Sequence, residues 1–214
     1  ERFNRINQYD PYPYQQKFHK TGSEANQRLL MAANRIGKSF SGAAEMSYHL
    51  TGIYPDWWKG RRYSQPITAW AGGVSNETTR DIVQYELLGS PDDPDAFGSG
   101  AIPKSKIIKT ERKPGVPNAK SVALIQHVSG GNSSLHFKAY EMGVDKWQGR
   151  SVDCIWLDEE PSRELYSQAV TRTLDRKGMV YMTFTPESGM TETVASFMNN
   201  LQSGQSLTNA TWDD

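Results

Sequence analysis

The chain has 214 residues with 24 basic and 24 acidic side chains, so its formal net charge is zero. Its mean hydropathy is low, at −0.68. Disorder is nevertheless excluded, because disordered chains combine high net charge with few aromatic residues and this chain has 6 Trp and 10 Tyr. The neutral total also removes the simplest argument for nucleic-acid binding, which is an excess of basic residues.

The sequence contains no apolar run long enough to cross a bilayer, and residues 1–20 are too polar for a signal peptide. We therefore expect a soluble protein without a membrane partner. Cys154 is the lone cysteine, which excludes a disulfide framework and a cysteine-based metal site and is typical of a reducing cytoplasm.

Short apolar runs bounded by turn residues predict eight β-strands, and helical patterns lie between several of them. Strands alternating with helices are typical of βαβ units in a parallel sheet. Three of the strands follow one another between residues 104 and 139 without a helix, which predicts an antiparallel insertion. The predicted strands span 28–33, 67–73, 106–110, 121–128, 134–139, 152–157, 179–184 and 207–212, and the predicted helices span 38–51, 76–88, 163–174 and 191–201.

The first segment with chemical content is PYPYQQKF, residues 11–18. An aromatic ring beside an amide, here Tyr14 and Gln15, suits an adenine base, which it can stack on and hydrogen-bond. Taken alone, the segment also fits an N-terminal arm that simply packs its aromatic side chains.

The strongest local pattern is AANRIGKS, Ala32 to Ser39, which follows a predicted strand and opens a predicted helix. Backbone N–H groups at a helix N-terminus bind phosphate, and Gly37 allows the close approach. Lys38 would reach the β- and γ-phosphates and Ser39 would bind magnesium. The match is imperfect, because Ala32 replaces the usual first glycine, and a Gly-Lys-Ser tripeptide alone is common by chance.

Charge is unevenly distributed further along the chain. Basic residues dominate between 104 and 120, and acidic residues between 81 and 95. Both runs are compatible with plain solvated surface; the basic run is also the one local candidate for contact with a phosphate backbone. The basic residues are Lys104, Lys106, Lys109, Arg112, Lys113 and Lys120, with Glu111 among them, and the acidic residues are Asp81, Glu86, Asp92, Asp93 and Asp95.

The second strong pattern is VDCIWLDEE, residues 152–160, which reads as a buried parallel strand ending in carboxylates. Ligands of open α/β sheets bind at that edge. Asp158 would hold magnesium and Glu159 would orient and deprotonate the attacking water. The alternative is an acidic helix N-terminus favoured by the helix dipole.

The last pattern is MTFTPESG, residues 182–189, a strand that ends in hydroxyl groups. Thr183 and Thr185 are candidates to contact the γ-phosphate or its water and to relay hydrolysis to motion. A plain strand-to-loop turn explains the segment equally well.

Together, PYPYQ, AANRIGKS, KWQGRSVDCIWLDEEP and TFTPESGMTE resemble the ATPase domain of the large terminase subunit of tailed bacteriophages. The resemblance runs from about Tyr12 to the TWDD end. It implies a P-loop NTPase fold of the additional-strand (ASCE) type, with a mostly parallel central sheet flanked by helices and an antiparallel β insertion around 104–139.

The resemblance also implies residue roles for ATP and Mg²⁺. The Q motif maps to Tyr14 and Gln15, the Walker A loop to Ala32–Ser39, the Walker B pair to Asp158 and Glu159, and the coupling motif to Thr183–Pro186. The expected catalytic residues are Glu159, Lys38 and Arg35, the metal ligands are Ser39 and Asp158, and the nucleotide-binding residues are Tyr14, Gln15, Ala33, Asn34, Arg35, Ile36, Gly37, Lys38, Ser39, Phe40 and Thr185.

The function implied by the resemblance is a motor that couples ATP hydrolysis to movement of double-stranded DNA into a procapsid in the host cytoplasm. Implied partners are the DNA, the portal protein, the small terminase subunit and further copies in a ring, although a monomer in isolation is compatible. An arginine finger given in trans is expected, from Arg150 or Arg172. Other P-loop translocases or helicases, and a non-hydrolysing nucleotide-binding assembly module, remain alternatives.

Large terminases continue into a nuclease domain with its own acidic metal cluster. The sequence shows no second set of spaced carboxylates in strand context. We therefore expect residues 1–214 to be a single ATPase domain, with residues 1–27 as an adenine-contacting segment and no nuclease, and expect the chain to be one domain of a longer protein.

Overall fold

The computed structural model describes residues 4–211. Its strands are β1 (Gln27–Ala32), β2 (Thr68–Gly73), β3 (Ile107–Arg112), β4 (Lys120–Gln126), β5 (Asn132–Ala139), β6 (Cys154–Asp158), β7 (Met179–Phe184) and β8 (Gln205–Ala210). Its α-helices are α1 (Pro13–Thr21), α2 (Lys38–Thr51), α3 (Asn76–Thr78), α4 (Tyr85–Leu88), α5 (Arg163–Leu174) and α6 (Glu192–Asn199), and a π-helical stretch (Thr79–Gln84) joins α3 to α4. Short 3-10 turns span Arg5–Gln8, Pro94–Ala96, Lys104–Lys106, Tyr140–Met142 and Val144–Trp147.

All eight strands form one sheet in the order β3-β4-β5-β2-β6-β7-β1-β8. The six strands from β5 to β8 in this order are mutually parallel, whereas β4 runs antiparallel to both β3 and β5. The predicted mostly parallel sheet and the antiparallel insertion are both confirmed. Strand β7 lies between β1 and β6, so the ends of these three strands meet at one edge of the sheet.

The sheet is buried on both faces because its side chains alternate between two cores. Leu30, Trp156 and Tyr181 face the core beneath α1 and α2. Leu29 and Ile155, on the same strands but one residue away, face the core beneath α5 and α6. The result is a three-layer α/β arrangement that holds the strand ends rigidly.

The helices begin and end at residues suited to those places. Pro13 opens α1, and Ser162 caps α5 by accepting a hydrogen bond from the backbone N–H of Leu165 at 3.2 Å. Helix α2 ends at Gly52, whose φ of 72° is left-handed and favours glycine.

Two elements differ from the sequence prediction. No helix was predicted over α1, because its polar residues hide the apolar face formed by Tyr14 and Phe18. The predicted helix over 76–88 is interrupted by the π-helical stretch. The predicted last strand is observed as β8, and Trp212 lies outside the described residues. Within residues 4–211 no helix has the length and apolar character to traverse a bilayer.

Candidate functional site

The loop between β1 and α2 lies at the carboxyl edge of the sheet. Arg35 and Gly37 have left-handed φ angles of 64° and 87°, so the chain turns sharply just before α2. Gly37 precedes the helix without any side-chain cap, which leaves the first backbone N–H groups of α2 available. A helix start of this kind binds phosphate through backbone N–H groups and the helix dipole.

Lys38 is the first residue of α2 and is only 6% exposed. Its Nζ donates a hydrogen bond to the carbonyl of Ala33 at 2.9 Å, across the loop. Burial lowers the pKa of Lys38, while the charges of Glu159 and Asp158 oppose that shift. The ammonium group is therefore held over the loop, close to carboxylates that favour its charged form.

Asp158 ends β6 and faces the start of α2. The Ser39 hydroxyl lies 3.1 Å from its Oδ1, and the Thr183 hydroxyl donates to the same oxygen at 2.7 Å. The indole of Trp156 in turn donates to Thr183 at 2.8 Å. Burial raises the pKa of Asp158 to about 7, and the hydrogen bonds from Thr183 and Ser39 oppose that shift.

Glu159 follows Asp158 in a left-handed conformation, with φ 67°. Its backbone N–H donates to the carbonyl of Thr183 at 3.0 Å. The Tyr140 hydroxyl lies 2.8 Å from the carbonyl of Asp158 and 2.9 Å from that of Glu159. Burial raises the pKa of the Glu159 carboxyl, and Lys38 opposes that shift. The carboxyl group is half-buried beside the loop, a suitable environment for a general base.

The proposed magnesium ligands fit a hard cation. Ser39 and Asp158 supply one hydroxyl and one carboxylate within hydrogen-bonding distance of each other, and Mg²⁺ is commonly held by one or two protein oxygens together with phosphate oxygens. Within the described part of the chain, no group of three or more His, Cys, Asp or Glu side chains is arranged as a metal site. The pair suits an ion bound together with a nucleotide.

The predicted adenine-contacting residues lie directly beneath the loop. The Tyr14 hydroxyl donates to the carbonyl of Ile36. The Gln15 amide approaches the carbonyl of Gly37 at 3.4 Å and accepts a hydrogen bond from the backbone of Tyr12 at 2.8 Å. Tyr14 is only 8% exposed, whereas Tyr12, stacked on it at 6.1 Å, is 60% exposed. The structure thus brings Tyr14 and Gln15 to the loop as supports, and the exposed ring is that of Tyr12.

The two threonines after β7 take different places. Thr183 is fully buried, and its hydroxyl donates to the carboxylate of Asp158. Thr185 donates to the carbonyl of Ala32 and lies 2.8 Å from the side chain of Asn34. This segment is therefore tied to both the loop and the acidic strand end.

The remaining predicted residues lie around the same loop. Ile36 and Phe40 are partly buried against the apolar core, and the Phe40 ring also packs under the guanidinium of Arg5 at 4.2 Å. Arg35 and Asn34 are exposed at the loop surface.

The candidate arginine fingers lie elsewhere. Arg150 donates to Nε2 of His136, and Arg172 donates to the carbonyl of Gly149 at 2.6 Å. His136 on β5 and Ile155 on β6 both pair with Trp70 of the intervening strand β2, so they lie at the same level of the sheet. Ile155 is three residues before Asp158. Three residues of strand span about 10 Å. Both arginines are therefore remote from Asp158 of their own chain.

The side chains of the basic stretch make several different contacts. Lys104 donates to the carbonyl of Asp95, and Lys120 lies 5.3 Å from the ring of Phe97. Lys109 is paired with Glu111 at 2.9 Å. Lys104 and Lys120 thus contact the segment around residues 95–97, and the charge of Lys109 is paired within β3.

Two residues at the site were missed from the sequence. Tyr140 follows β5 at the same sheet edge as Asp158, and this strand-end position was the available signal. Glu187 accepts a hydrogen bond from Asn34 at 3.4 Å, and its charge acts on both Lys38 and Glu159. It lies within the same TFTP-containing segment that was singled out for its threonines.

Comparisons with known proteins show the family and the fold of the chain. A family model described as terminase large subunit, T4likevirus-type, N-terminal, matches residues 29–214. The large terminase subunit of Salmonella phage P22 is 37% identical over 221 residues, covering 95% of this chain and 44% of that protein. The solved large terminase of a thermophilic bacteriophage shares the fold, with a TM-score of 0.56 at 12% identity over 82% of this chain and 39% of the other. The chain thus spans less than half the length of both relatives.

Proposed function

The chain belongs to the large terminase subunit family, whose N-terminal domain it matches, and from this membership we propose that it hydrolyses ATP to drive DNA packaging. The observation that carries the proposal is the meeting of three strand ends at one edge of the sheet. Ser39 after β1, Thr183 on β7 and Asp158 on β6 form one hydrogen-bonded group, with Lys38 and Glu159 beside it.

Binding is the first task of these residues. The backbone N–H groups at the start of α2 would hold the phosphates, and Lys38 would exchange the carbonyl of Ala33 for phosphate oxygens. Ser39 and Asp158 would hold a magnesium ion, which when bound neutralises phosphate charge. Arg35, Asn34, Ile36 and Phe40 line the same loop, and Tyr14 and Gln15 support it from below.

Proton transfer is the task of Glu159. Burial favours the protonated form of its carboxyl group, and Lys38 restrains that tendency, so the group is poised to take a proton from water. The backbone of Glu159 is held by its hydrogen bond to Thr183 and by the contacts of Tyr140. These contacts would orient the carboxylate toward the water.

Two substitutions separate binding from turnover. Glu159→Gln removes the proton acceptor and keeps the shape, so kcat should fall by about 10²- to 10⁴-fold with ATP affinity nearly unchanged. Lys38→Ala removes a charged donor to phosphate and should weaken ATP binding by roughly 10- to 100-fold. Calorimetric nucleotide titration and phosphate release measure both effects; equal loss of binding in the two variants would contradict the assigned roles.

The wider function follows from the family. We propose that hydrolysis moves double-stranded DNA into a procapsid in the host cytoplasm, with the portal protein, the small terminase subunit and further copies of this chain as partners. DNA-stimulated phosphate release, together with procapsid-dependent protection of DNA from nuclease digestion, tests this. Unchanged hydrolysis in the presence of DNA would favour the non-motor alternatives.

A further inference from the structure

Four cations gather on the sheet face that carries α5 and α6, beside β5. They are Lys113, Lys138, Lys146 and Arg150, and we refer to them as the cation cluster. Lys138 is on β5 itself and donates a hydrogen bond to the carbonyl of Lys146. Arg150 contacts His136, two residues earlier on the same strand. Lys146 and Arg150 are exposed, and Lys113 and Lys138 are half-buried.

Within residues 4–211, none of the four cations forms an ion pair with a carboxylate. Burial and the nearby Lys113, Arg150 and Lys146 lower the pKa of Lys138 to about 8, and no carboxylate contributes to that shift. Two acidic residues lie at the margin, and the charge of Glu141 partly offsets the effect of burial on the pKa of Lys113. Both carboxylates have other hydrogen-bond partners. Glu111 pairs with Lys109 at 2.9 Å, and Glu141 accepts hydrogen bonds from the backbone and side chain of Asn76.

Lys138 is held in place although its charge is repelled by its neighbours. Its Nζ lies 4.1 Å from the centre of the Trp70 ring and 5.9 Å from that of Trp147. Lys113 is fixed at the same end of β5 by its contact with the Met142 sulfur at 3.3 Å. A fixed group of like charges that forms no ion pair within the described residues is expected to attract a polyanion.

We propose that the cation cluster binds the phosphate backbone of double-stranded DNA, an inference that rests on the proposed role of the chain in DNA packaging. Lysine and arginine contacts to phosphate supply sequence-independent affinity, as a packaging motor requires. Of the basic run at residues 104–120, only Lys113 belongs to the cluster. The proposal therefore moves the expected DNA contact from that run to the end of β5 and the segment that follows it.

Binding of a fluorescent DNA duplex without nucleotide, measured by anisotropy at several salt concentrations, tests the proposal. The double variant Lys138→Gln/Lys146→Gln should bind DNA about tenfold more weakly for each lysine replaced, at 0.1 M salt. The slope of its log binding constant against log salt concentration should become shallower by about two. The matched control Lys17→Gln/Lys20→Gln removes two exposed lysines from α1 and should bind as the wild type does. Equal loss in both variants, or no loss in the first, would overturn the proposal.

A second measurement needs no substitution in the cluster. Burial, Arg150 and Lys138 lower the pKa of His136 to about 4. A bound phosphate backbone offsets those two charges, so titration of His136 by NMR should show a higher pKa when duplex DNA is present. An unchanged pKa at saturating duplex would contradict the proposal even if the double variant failed to fold.

Failure of this inference is separable from failure of the proposed function. If wild-type protein hydrolyses ATP but the cluster variants bind duplex normally, the DNA contact lies elsewhere and the ATPase assignment stands. If wild-type protein binds duplex through the cluster but releases no phosphate from ATP, the contact stands and the ATPase assignment fails.

Discussion

At the residue scale, the backbone of Glu159 is the most constrained feature of the site. A left-handed φ in a non-glycine residue costs about 1–2 kcal/mol and persists only where neighbouring contacts enforce it. Those contacts come from two different strands. The carbonyl of Thr183 on β7 accepts the Glu159 N–H, and the hydroxyl of Tyr140 after β5 contacts the carbonyls of Asp158 and Glu159.

Tyr140 is therefore expected to act as a positioning residue. Tyr140→Phe removes the hydroxyl and keeps the ring, so the Glu159 turn loses its contacts on one side. We expect kcat to fall by roughly 2- to 13-fold, because a net hydrogen bond is worth about 0.5–1.5 kcal/mol, while KM for ATP stays unchanged. Steady-state phosphate release separates the two constants.

Tyr166→Phe is the matched control. The Tyr166 hydroxyl donates to the side chain of Gln27 at 2.6 Å, away from Asp158, so its loss should leave kcat unchanged. A similar fall of kcat in both variants would show that lost hydrogen bonding in general, and not the Glu159 turn, limits activity. A rise of KM in Tyr140→Phe would also contradict the assigned role.

At the element scale, a buried charged group joins the three elements around the loop between β1 and α2. Glu45 on α2 bonds to Arg28 on β1 and to His19 on α1, and all three are at most 1% exposed. Although burial by itself opposes it, the pKa of Glu45 is lowered well below its usual range by Arg28 and by hydrogen bonds from His19 and His49. The group sets how α2 leaves the loop relative to β1.

Breaking this group should destabilise the fold strongly. Arg28→Met leaves the Glu45 carboxylate buried without its main partner, and the expected loss is about 3–5 kcal/mol of unfolding free energy. Arg176→Met is the matched control, because Arg176 pairs with Asp153 at 2.9 Å with 45% of its side chain exposed, and its loss should cost less than about 1 kcal/mol. Urea unfolding gives both values; equal losses would refute the distinction.

At the scale of the whole molecule, the two candidate arginine fingers lie far from Asp158, so we expect the arginine that assists hydrolysis to come from a neighbouring copy of the chain. Arg150 and Arg172 lie beside Gly149, remote from Asp158 of their own chain. A loose phosphoryl-transfer transition state gains from added positive charge, which a neighbouring copy would supply. Hydrolysis by an isolated chain is then expected to be slow.

Mixing two inactive variants tests this expectation and chooses between the arginines. A subunit with Arg172→Ala or Arg150→Ala keeps Lys38 in its own loop between β1 and α2. A subunit with Lys38→Ala keeps both arginines and can supply them to a neighbour. We expect activity per subunit to rise with concentration in the wild type, and mixing to restore activity for the arginine that acts in trans. Concentration-independent hydrolysis by a monomeric sample would contradict the scheme.

Much of the fold could be predicted because its determinants are local. Helices α2 and α5 begin and end where the sequence predicted, since Gly52 and the capping Ser162 are near neighbours of the residues they terminate or initiate. The sequence likewise predicted that the loop between β1 and α2 comes before the acidic end of β6 in the chain. Helix α1 was missed, because its apolar side chains are recognised only once β1 and β8 provide the surface against which it packs.

The sequence by itself determined the alternation of strands and helices, the antiparallel insertion, and the residue types at the ends of β1, β6 and β7, because periodicity and turn residues act over a few positions. Only the tertiary structure placed β7 between β1 and β6, and so brought Thr183 to Asp158. It alone brought the Tyr140 hydroxyl to the backbone of Glu159 and placed the charge of Lys113 near that of Lys138. These arrangements depend on the strand order and on the face of the sheet that each side chain occupies. Both are decided by pairing between segments that are distant in the sequence.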